Sequence, residues 1–334
     1  MKVKIFSIRR KEIGVPVLWV FLFWLIGGSS AFAQAQEYPT KPIRIIVPLS
    51  AGAGADIAAR IIAQRMNEHW KQPVIVENRP GAGGQIGTAA VVKAEPDGHT
   101  LMVQSSSHAA NSAIYKSLPY DPLTDLVDVA MIGKTPYVMV SAASGPYKTL
   151  KSLIDAAKAK PGELAFASAG MGTSTHLASE YLLGLAGVRM IHLPFKGSPE
   201  ALQDVLGGRA AFYMAPVNVA VNLVKDGKLN ALGVSTKSRA EVLPDVPTIA
   251  GQGLPDYEVT LWFGMWAPAA TSTEIVKKLN EAVNAIVFEP PVREQFTKLG
   301  LQPAPMKLEE FRSFVRSDIE MYRRVVRAAN IQLQ

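Results

Sequence analysis

The sequence contains no cysteine, and this absence excludes several kinds of chemistry at once. Disulfide bonds, thiol catalysis, cysteine-ligated metals and a lipid-modified N-terminal cysteine all require that residue. The five histidines show neither an HExxH motif nor paired metal-ligand spacing, and no Gly-x-Ser-x-Gly elbow occurs. We therefore expect no metal and no cofactor. With 19% charged and 48% hydrophobic residues, the composition is that of a globular protein.

The first residues have the three parts of a secretory signal peptide. The n-region is basic (Lys2, Lys4, Arg9, Arg10, Lys11), the h-region is apolar (Val15 to Ile26), and Ala31-Phe32-Ala33 is a small-x-small cleavage site, with Ala33-Gln34-Ala35 as a near equivalent. We expect residues 1–35 to be cleaved, which leaves an unlipidated protein that would be periplasmic in a Gram-negative cell. The alternative is an uncleaved anchor, although the apolar run is short for a membrane span.

Loss of this segment removes five basic residues and one acidic residue, so the net charge falls from +7 to +3. No Lys/Arg run of the kind that binds nucleic acid remains. A slightly positive surface is compatible with acidic solutes. The remaining length is sufficient for two lobes, each with its own core.

The stretch Ile43 to Arg60, IRIIVPLSAGAGADIAAR, predicts a strand, a glycine turn and a helix. The β-branched run before Gly52 and Gly54 suits a buried strand, and the apolar residues after them recur at helical spacing. Leu164 to His176, LAFASAGMGTSTH, repeats this order. Because the free N–H groups of a helix start favour an anion, we expect the two turns to face each other across a cleft and hold one small acidic ligand.

Strands and helices alternate along both halves of the chain, which predicts an α/β protein with mainly parallel sheets. Val129 to Ile132 and Tyr137 to Val140 are predicted as two separate strands near the passage to the second lobe. Ser105 to His108 is predicted as a polar strand end where a ligand lies. No low-complexity linker is present, so two crossings between lobes predict a hinged pair.

Other interpretations of these residues stay open at this point. Neither glycine turn completes a dinucleotide fingerprint, since Ile57 and Thr175 stand where a third glycine is expected. Asp56 is either a helix-start carboxylate or a residue that orders its loop or accepts a ligand's hydroxyl or amine. Because a carboxylate placed directly on an anion would repel it, we expect an indirect role for Asp56. A periplasmic hydrolase using Ser174 and His176 is the enzymatic alternative. Two roles are open for the aromatic residues Tyr137, Phe195, Trp262, Phe263 and Trp266. The simpler role is packing in the core, and the alternative is lining the cleft.

Several segments together resemble the Bug family, the periplasmic solute-binding proteins of tripartite tricarboxylate transporters. They are YPTKPIRIIVPLSAGAGADIAAR, VIVENRPGAGGQIGTAAVVKAEPDGHTL, LPYDPLTDL, SAGMGTSTHLASE, LPFKGSPEALQDVLGG, GKLNALGVSTKSRAEVLPDVPTIAGQGLP and TEIVKKLNEAVNAIV. The resemblance covers nearly the whole mature chain in order and spacing. It implies a two-lobed, type II Venus flytrap fold, with residues 36–138 and 232–334 in lobe 1 and residues 139–231 in lobe 2.

The resemblance also implies how a ligand is held and passed on. The two loops grip one carboxylate group, and the far end of the ligand is read from around Ser105 to His108, Phe195 to Gly197 and Ala215 to Asn218. The ligand-binding residues implied are Leu49, Ser50, Gly52, Ala53, Gly54, Asp56, Ser106, His108, Ala169, Gly170, Met171, Gly172, Thr173, Ser174, His176 and Phe195. A monomeric, non-enzymatic carrier is expected, which delivers a carboxylate to the membrane subunits of such a transporter or, alternatively, to a sensor protein.

The first loop departs from the usual family pattern. Leu49, Ala51, Ala53 and Ala55 stand at the aromatic, proline, second-glycine and threonine places, and Ala211 and Ala215 stand where members often carry aspartate. Loss of the acidic side chains makes an amine-bearing amino acid a poorer ligand. A bulkier or more apolar carboxylate is the resulting hypothesis.

Overall fold

The computed structural model describes Lys4, Ser7, residues 38–329 and residues 331–333. The predicted signal peptide, residues 1–35, lies outside the described residues except for Lys4 and Ser7, so it stays a prediction. The chain separates into two compact units, residues 1–38 and 39–334, and the elements below belong to the second. No helix in the described part has the length and apolar character needed to cross a membrane.

The strands form two sheets that share one long strand. In chain order the strands are β1 (Ile43–Val47), β2 (Val74–Asn78), β3 (Thr100–Ser105), β4 (Leu126–Ala142), β5 (Ala165–Ser168), β6 (Ile191–Pro194), β7 (Phe212–Pro216), β8 (Leu229–Val234), β9 (Thr260–Pro268) and β10 (Gln302–Pro303). In one sheet β2, β1 and β3 are parallel, and β9 joins β3 to β4 by antiparallel pairing. In the other, β6, β5 and β7 are parallel, and β7 and β8 pair antiparallel with β4.

Ten α-helices lie around these sheets in the described part of the chain. They are α1 (Gly54–Trp70), α2 (Gln85–Val92), α3 (Ser107–Ile114), α4 (Leu150–Ala159), α5 (Ser174–Ala186), α6 (Ser198–Leu206), α7 (Val217–Lys225), α8 (Thr273–Ile286), α9 (Pro290–Leu299) and α10 (Leu308–Ala328). Local signals set several of their ends. The hydroxyl groups of Thr149 and Ser272 accept N–H bonds at the starts of α4 and α8, and Gly187 and Gly300 end α5 and α9 in the left-handed conformation.

Each sheet is packed against its own hydrophobic cluster. The first cluster joins β3, β9, α3 and α10 around Trp262, Trp266 and Phe311, which are all almost fully buried. Both indoles keep a polar partner, because Trp262 Nε1 donates to Asp318 and Trp266 Nε1 donates to Asp128. Truncation of either indole to alanine would cost about 3–5 kcal/mol. The second cluster joins β4, β7, α6 and α7.

The predicted alternation of strands and helices is confirmed, but three elements differ from the prediction. Residues 126–142 form one strand, β4, although Pro136 lies within it. Pro136 marks the place where β4 ends its pairing with β9 and begins to pair with β7 and β8. Helices α3 and α7 were not predicted, because α3 follows a polar serine run and α7 is rich in valine, which favours strands locally.

Candidate functional site

A narrow cavity lies where the two sheets meet. Its free volume is about 10 Å³, which is about the least that holds one water molecule. The residues that line it are Leu49, Gly54, Ala55, Ser105, Ser107, Ala169, Ser174, Thr175, Ser198, Pro216, Leu261 and Phe263. They come from both sheets, and none of them carries a charge. The polar groups are four serines and one threonine, whereas the rest of the wall is apolar.

Five helices begin at this cavity. Gly54, Ser107, Ser174 and Ser198 are the first residues of α1, α3, α5 and α6, and Pro216 directly precedes α7. The first N–H groups of a helix have no carbonyl partner within that helix, and the helix dipole places partial positive charge at the same end. The cavity therefore has a positive potential without any cationic side chain in its wall, which suits an anion.

The loop between β1 and α1, residues 48–53, is called here the first loop. Gly52 turns it with a φ of 80°, a left-handed conformation that glycine adopts without strain. Ala53 precedes α1 in an extended conformation and offers no side-chain cap. An alanine at the capping position leaves the first N–H groups of α1 available to a ligand, whereas a serine or aspartate there would bond to them.

Asp56 holds the first loop in shape. Its carboxylate accepts hydrogen bonds from the Gly52 N–H (2.8 Å), from Asn78 Nδ2 (2.9 Å) and from Arg60 (3.0 Å to Nε). Burial alone would raise the pKa of Asp56, but the bonds from Arg60, Gly52 and Asn78 outweigh burial and lower it. The carboxylate is thus engaged by its own loop, which agrees with the indirect role expected for it.

Replacement of Asp56 by asparagine is expected to lower the free energy of unfolding at pH 7 by about 2 kcal/mol, because a buried charge-assisted network is lost. Since the folded-state pKa of Asp56 is lowered, its contribution is complete above the unfolded pKa and is lost as the pH falls through the folded pKa. The difference in melting temperature between wild type and D56N should therefore shrink below about pH 4.

Asp155→Asn is the matched control, because Asp155 pairs with Lys151 on the exposed face of α4. An exposed pair of this kind contributes less than about 1 kcal/mol. A D56N protein as stable as D155N at pH 7, or a difference that does not change with pH, would contradict the proposed network.

The loop between β5 and α5, residues 169–173, is called here the second loop, and its own hydroxyl groups order it. Gly170 and Gly172 have φ values of 136° and 75°. Thr173 Oγ1 accepts from the His176 N–H (3.4 Å) and donates to the Gly170 carbonyl (2.7 Å). The Ala169 N–H donates to Thr175 Oγ1 (3.0 Å). Both loops thus place the first turn of a helix beside the cavity.

His176 and His192 lie behind the second loop as a stacked pair, with ring centroids 3.9 Å apart. The Gly172 N–H donates to His176 Nδ1 (3.3 Å), and His176 Nε2 lies 3.7 Å from Glu180. Burial, and next the neighbouring His176, lower the pKa of His192 to about 3, so His192 is neutral at physiological pH. His176 supports the loop from behind, and no hydrogen bond joins it to Ser174 among the described residues.

Hydrogen bonds connect the two sides of the cavity directly. The Ser174 N–H donates to Ser107 Oγ (3.0 Å), and Ser50 Oγ donates to Glu200 Oε1 (2.7 Å). Asn218 Nδ2 donates to the Gly54 carbonyl (3.2 Å). On the other flank, Tyr115 OH donates to the Met171 carbonyl (3.1 Å). These contacts enclose the cavity on several sides.

The structure brings most of the predicted site residues to this region. Leu49, Gly54, Ala169 and Ser174 line the cavity, and the two loops beside it contain Ser50, Gly52, Ala53, Gly170, Met171, Gly172 and Thr173. Of the aromatic residues that were weighed as possible lining, Phe263 is in the wall, with Leu261 beside it. Ser107, Ser198 and Pro216 also line the wall, and Gly-Ser-Pro-Glu at the start of α6 is a helix-start signal that would have indicated Ser198.

Other predicted residues are not among those that line the cavity. Ser106 Oγ accepts from Tyr322 OH (3.2 Å), and Phe195 packs on the second hydrophobic cluster. His108 Nε2 donates to the Pro122 carbonyl (3.2 Å), and burial lowers the pKa of His108 to about 4. A ligand-binding role stays a prediction for these residues and for all the other predicted site residues. Among the described residues, no group of three or more His, Asp or Glu is arranged to hold a metal ion.

Comparisons with known proteins agree on one family. Residues 58–331 match the family described as tripartite tricarboxylate transporter family receptor, TctC. Protein BugT of Bordetella pertussis is 35% identical over 315 residues, which is 94% of this chain and 97% of BugT. The structure of the periplasmic binding protein BugD has a TM-score of 0.85 at 29% identity and covers 89% of this chain and 100% of BugD. An R. palustris protein, Rpa4515, solved with adipate, has a TM-score of 0.85 at 31% identity, with 89% and 99% covered.

Proposed function

We propose a function that follows from one fact: this chain belongs to the TctC family of tripartite tricarboxylate transporter receptors. It captures a small carboxylate in the cavity between its sheets and delivers it to membrane transporter subunits. The fold is the two-lobed fold of periplasmic binding proteins. One observation carries the proposal: five helix starts meet at a narrow cavity whose wall has hydroxyl groups but no charged side chain. The adipate bound by the R. palustris relative supports the same ligand class.

The ligand carboxylate would be held by main-chain N–H groups and serine hydroxyls. Ser107, Ser174 and Ser198 each stand at the first position of a helix and are almost fully buried. Such neutral donors stabilise an anion without a competing ion pair. No carboxylate lines the cavity, so an ammonium group would be left without a partner there. Acids without an amine, with an apolar segment against Leu261 and Phe263, fit this wall best.

We place lobe 1 at residues 36–138 and 232–334 and lobe 2 at residues 139–231. Strand β4 supports this division, because it changes partner from β9 to β7 and β8 near Pro136. The bonds Ser50 to Glu200, Gly54 to Asn218 and Met171 to Tyr115 then cross between the lobes. A ligand that contacts both lobes favours the closed state by its differential affinity. The cleaved signal peptide and the monomeric state belong to the same proposal.

A thermal-shift screen of residues 36–334 tests the proposal. The compounds are adipate, other di- and tricarboxylates, aromatic acids, amino acids and neutral sugars. A ligand that binds only the native state raises the melting temperature with concentration, by about 2.7 kcal/mol of stability at 100 times Kd. Shifts confined to carboxylates support the proposal, and shifts with sugars or amines alone overturn it.

Leu49→Phe is expected to tighten the binding of small dicarboxylates. Leu49 lines the cavity and is only 5% exposed, so a larger ring there would fill space beside a short ligand. Removing a cavity of one or two methylene volumes contributes about 1 kcal/mol, or roughly fivefold in Kd. Isothermal titration with malate or succinate measures this, and an unchanged affinity for these acids would contradict it.

We propose no catalytic role for this site. The hydrolase alternative requires that His176 take a proton from Ser174, yet the imidazole nitrogens of His176 face the Gly172 N–H and Glu180. Ser174 Oγ instead lies 3.2 Å from Ser107 Oγ. Turnover of ester substrates that is lost in Ser174→Ala would overturn this part of the proposal.

A further inference from the structure

Helix α10 presents four arginines along one exposed face. Arg312, Arg316, Arg323 and Arg327 follow one another at intervals of four, seven and four residues, and all are exposed. At 100° per residue they lie within about 60° of each other and extend over about 22 Å of helix length. This set is called here the arginine stripe.

The stripe is not explained by the helix itself. Cations near the end of a helix are stabilised by its dipole, which accounts for Arg327 but not for Arg312 and Arg316 in the first half. Arg312 pairs with Glu309 and Arg323 with Glu320. The charges of Arg312 and Arg316 also oppose the rise that burial causes in the pKa of Asp128, but among the described residues no hydrogen bond or ion pair joins the side chain of Arg316 or Arg327 to a partner. Helix α10 contains no lysine. Arginine, with its planar fork, favours bidentate contacts with carboxylates.

An open groove with a free volume of about 630 Å³ adjoins the stripe at Arg323. Lys116 and Arg323 supply positive charge to this groove, and Tyr115, Tyr120 and Ile319 lie in its wall. Its one acidic residue, Asp121, is engaged by its own loop, since its carboxylate accepts from the N–H groups of Leu123 (2.8 Å) and Thr124 (3.2 Å). The groove is therefore suited to a carboxylate side chain.

The same region is connected to the cavity by residues already described. Tyr115 in the groove donates to the Met171 carbonyl in the second loop, and Tyr322 of α10 donates to Ser106 Oγ at the start of α3. The end of α10 also lies against α5, since a Cβ on Gly184 would meet Ala329 at 3.1 Å. This face is therefore connected through internal contacts to elements on both sides of the cavity.

The chemistry of this face favours a protein over a lipid surface. The apolar face of α10 is fully used in the core, where Phe311, Val315, Ile319 and Tyr322 are buried. A helix that binds in a membrane interface needs a free apolar face to insert. Glu309 and Glu320 interrupt the stripe, so its charges match a patterned acidic surface better than a uniform anionic one.

We propose that the arginine stripe and the adjoining groove dock an acidic extracytoplasmic segment of the membrane protein that receives the ligand. The identity of that partner, but not the docking surface, rests on the proposed function. The Tyr115–Met171 bond and the packing of the α10 end against α5 connect this surface to both sides of the cavity, which would let the partner distinguish the closed protein from the open one. Because carboxylate–arginine contacts carry the interaction, it weakens with salt.

Site-specific photo-crosslinking in cells of the source organism tests this docking surface. A p-benzoylphenylalanine at Leu123, an exposed residue in the groove, is expected to crosslink to an integral membrane protein with an acidic extracytoplasmic segment. The same crosslinker at Ile75, which is exposed on β2, should not form this product. The combined variant Arg316→Glu, Arg323→Glu and Arg327→Glu should reduce the product at least about tenfold.

Two controls separate docking from folding and from ligand capture. A variant with Lys151→Glu, Lys158→Glu and Lys225→Glu changes the net charge equally on other helices and should keep the product. The arginine variant should keep the rise in melting temperature that adipate causes in the wild type. If no carboxylate raises the melting temperature of the wild type, that result counts against the proposed function but not against docking. A product unaffected by the arginine changes, crosslinks to phospholipid only, or no product at Leu123 overturns the docking surface.

Discussion

Replacing Gly172 by alanine is expected to weaken carboxylate binding by about 100-fold. A Cβ at this position would lie 2.5 Å from Tyr115 Cε2 and 2.9 Å from Asn111 Oδ1, both on the opposite side of the cavity. Such overlap forces the second loop away from α3, and overpacking of this kind costs about 1–3 kcal/mol. The clash exists only when the two sides are together, so it opposes closure. Isothermal titration with adipate measures the change.

Gly187→Ala is a close control for this experiment. Gly187 ends α5, the helix that follows the second loop, with a φ of 64°. A Cβ at Gly187 has no neighbour within 4 Å. Both substitutions place a side chain in the left-handed conformation, which costs about 1 kcal/mol of stability. Only Gly172→Ala should lose ligand affinity. Equal affinities in the two variants would show that the second loop does not close on the ligand.

Replacing Ser107 by aspartate is expected to abolish carboxylate binding while leaving the unliganded protein as stable as wild type, or more so. Ser107 is the first residue of α3, where an acidic side chain complements the helix dipole. It is 2% exposed and its Oγ accepts from the Ser174 N–H, so the new carboxylate would occupy the anion position itself. Repulsion between two charges 4 Å apart is about 4 kcal/mol at an effective dielectric constant of 20, or roughly a thousandfold in Kd.

Ser107→Asn distinguishes charge from size, because asparagine has the shape of aspartate and also suits a helix start. We expect Ser107→Asn to keep measurable affinity for adipate in a titration and Ser107→Asp to keep none. If both lose affinity equally, added bulk rather than charge is responsible, and the positive potential of the five helix starts is not what binds the ligand. Melting temperatures without ligand show whether each variant folds.

The two glycine loops could be predicted from the sequence because their signals are local. A β-branched run, a pair of glycines and an apolar helical repeat each act within a few residues, and the structure has a strand, a turn and a helix at both places. The role of Asp56 as a residue that orders its loop also followed from its place in the first turn of α1.

The cavity wall could not be assembled in this way. Ser107, Ser198 and Phe263 are distant in the sequence, and nothing in the local pattern of each segment states which segments meet. Strand β4 shows the same limit, since Pro136 and three register shifts interrupt its local pattern while pairing with β9, β7 and β8 keeps it one strand. Helix α7 forms despite its valines because its apolar face is buried in the second cluster.

The sequence by itself determined the α/β class, the two glycine loops and the family to which the chain belongs, because propensity, turn chemistry and motif order are written along the chain. Only the tertiary structure decided that five helix starts share one uncharged cavity, that Ser50 meets Glu200 across 150 residues, and that α10 turns its arginines outward beside a groove. Burial of the apolar faces selects these arrangements, since packing brings together segments whose order in the chain carries no information about their distance in space.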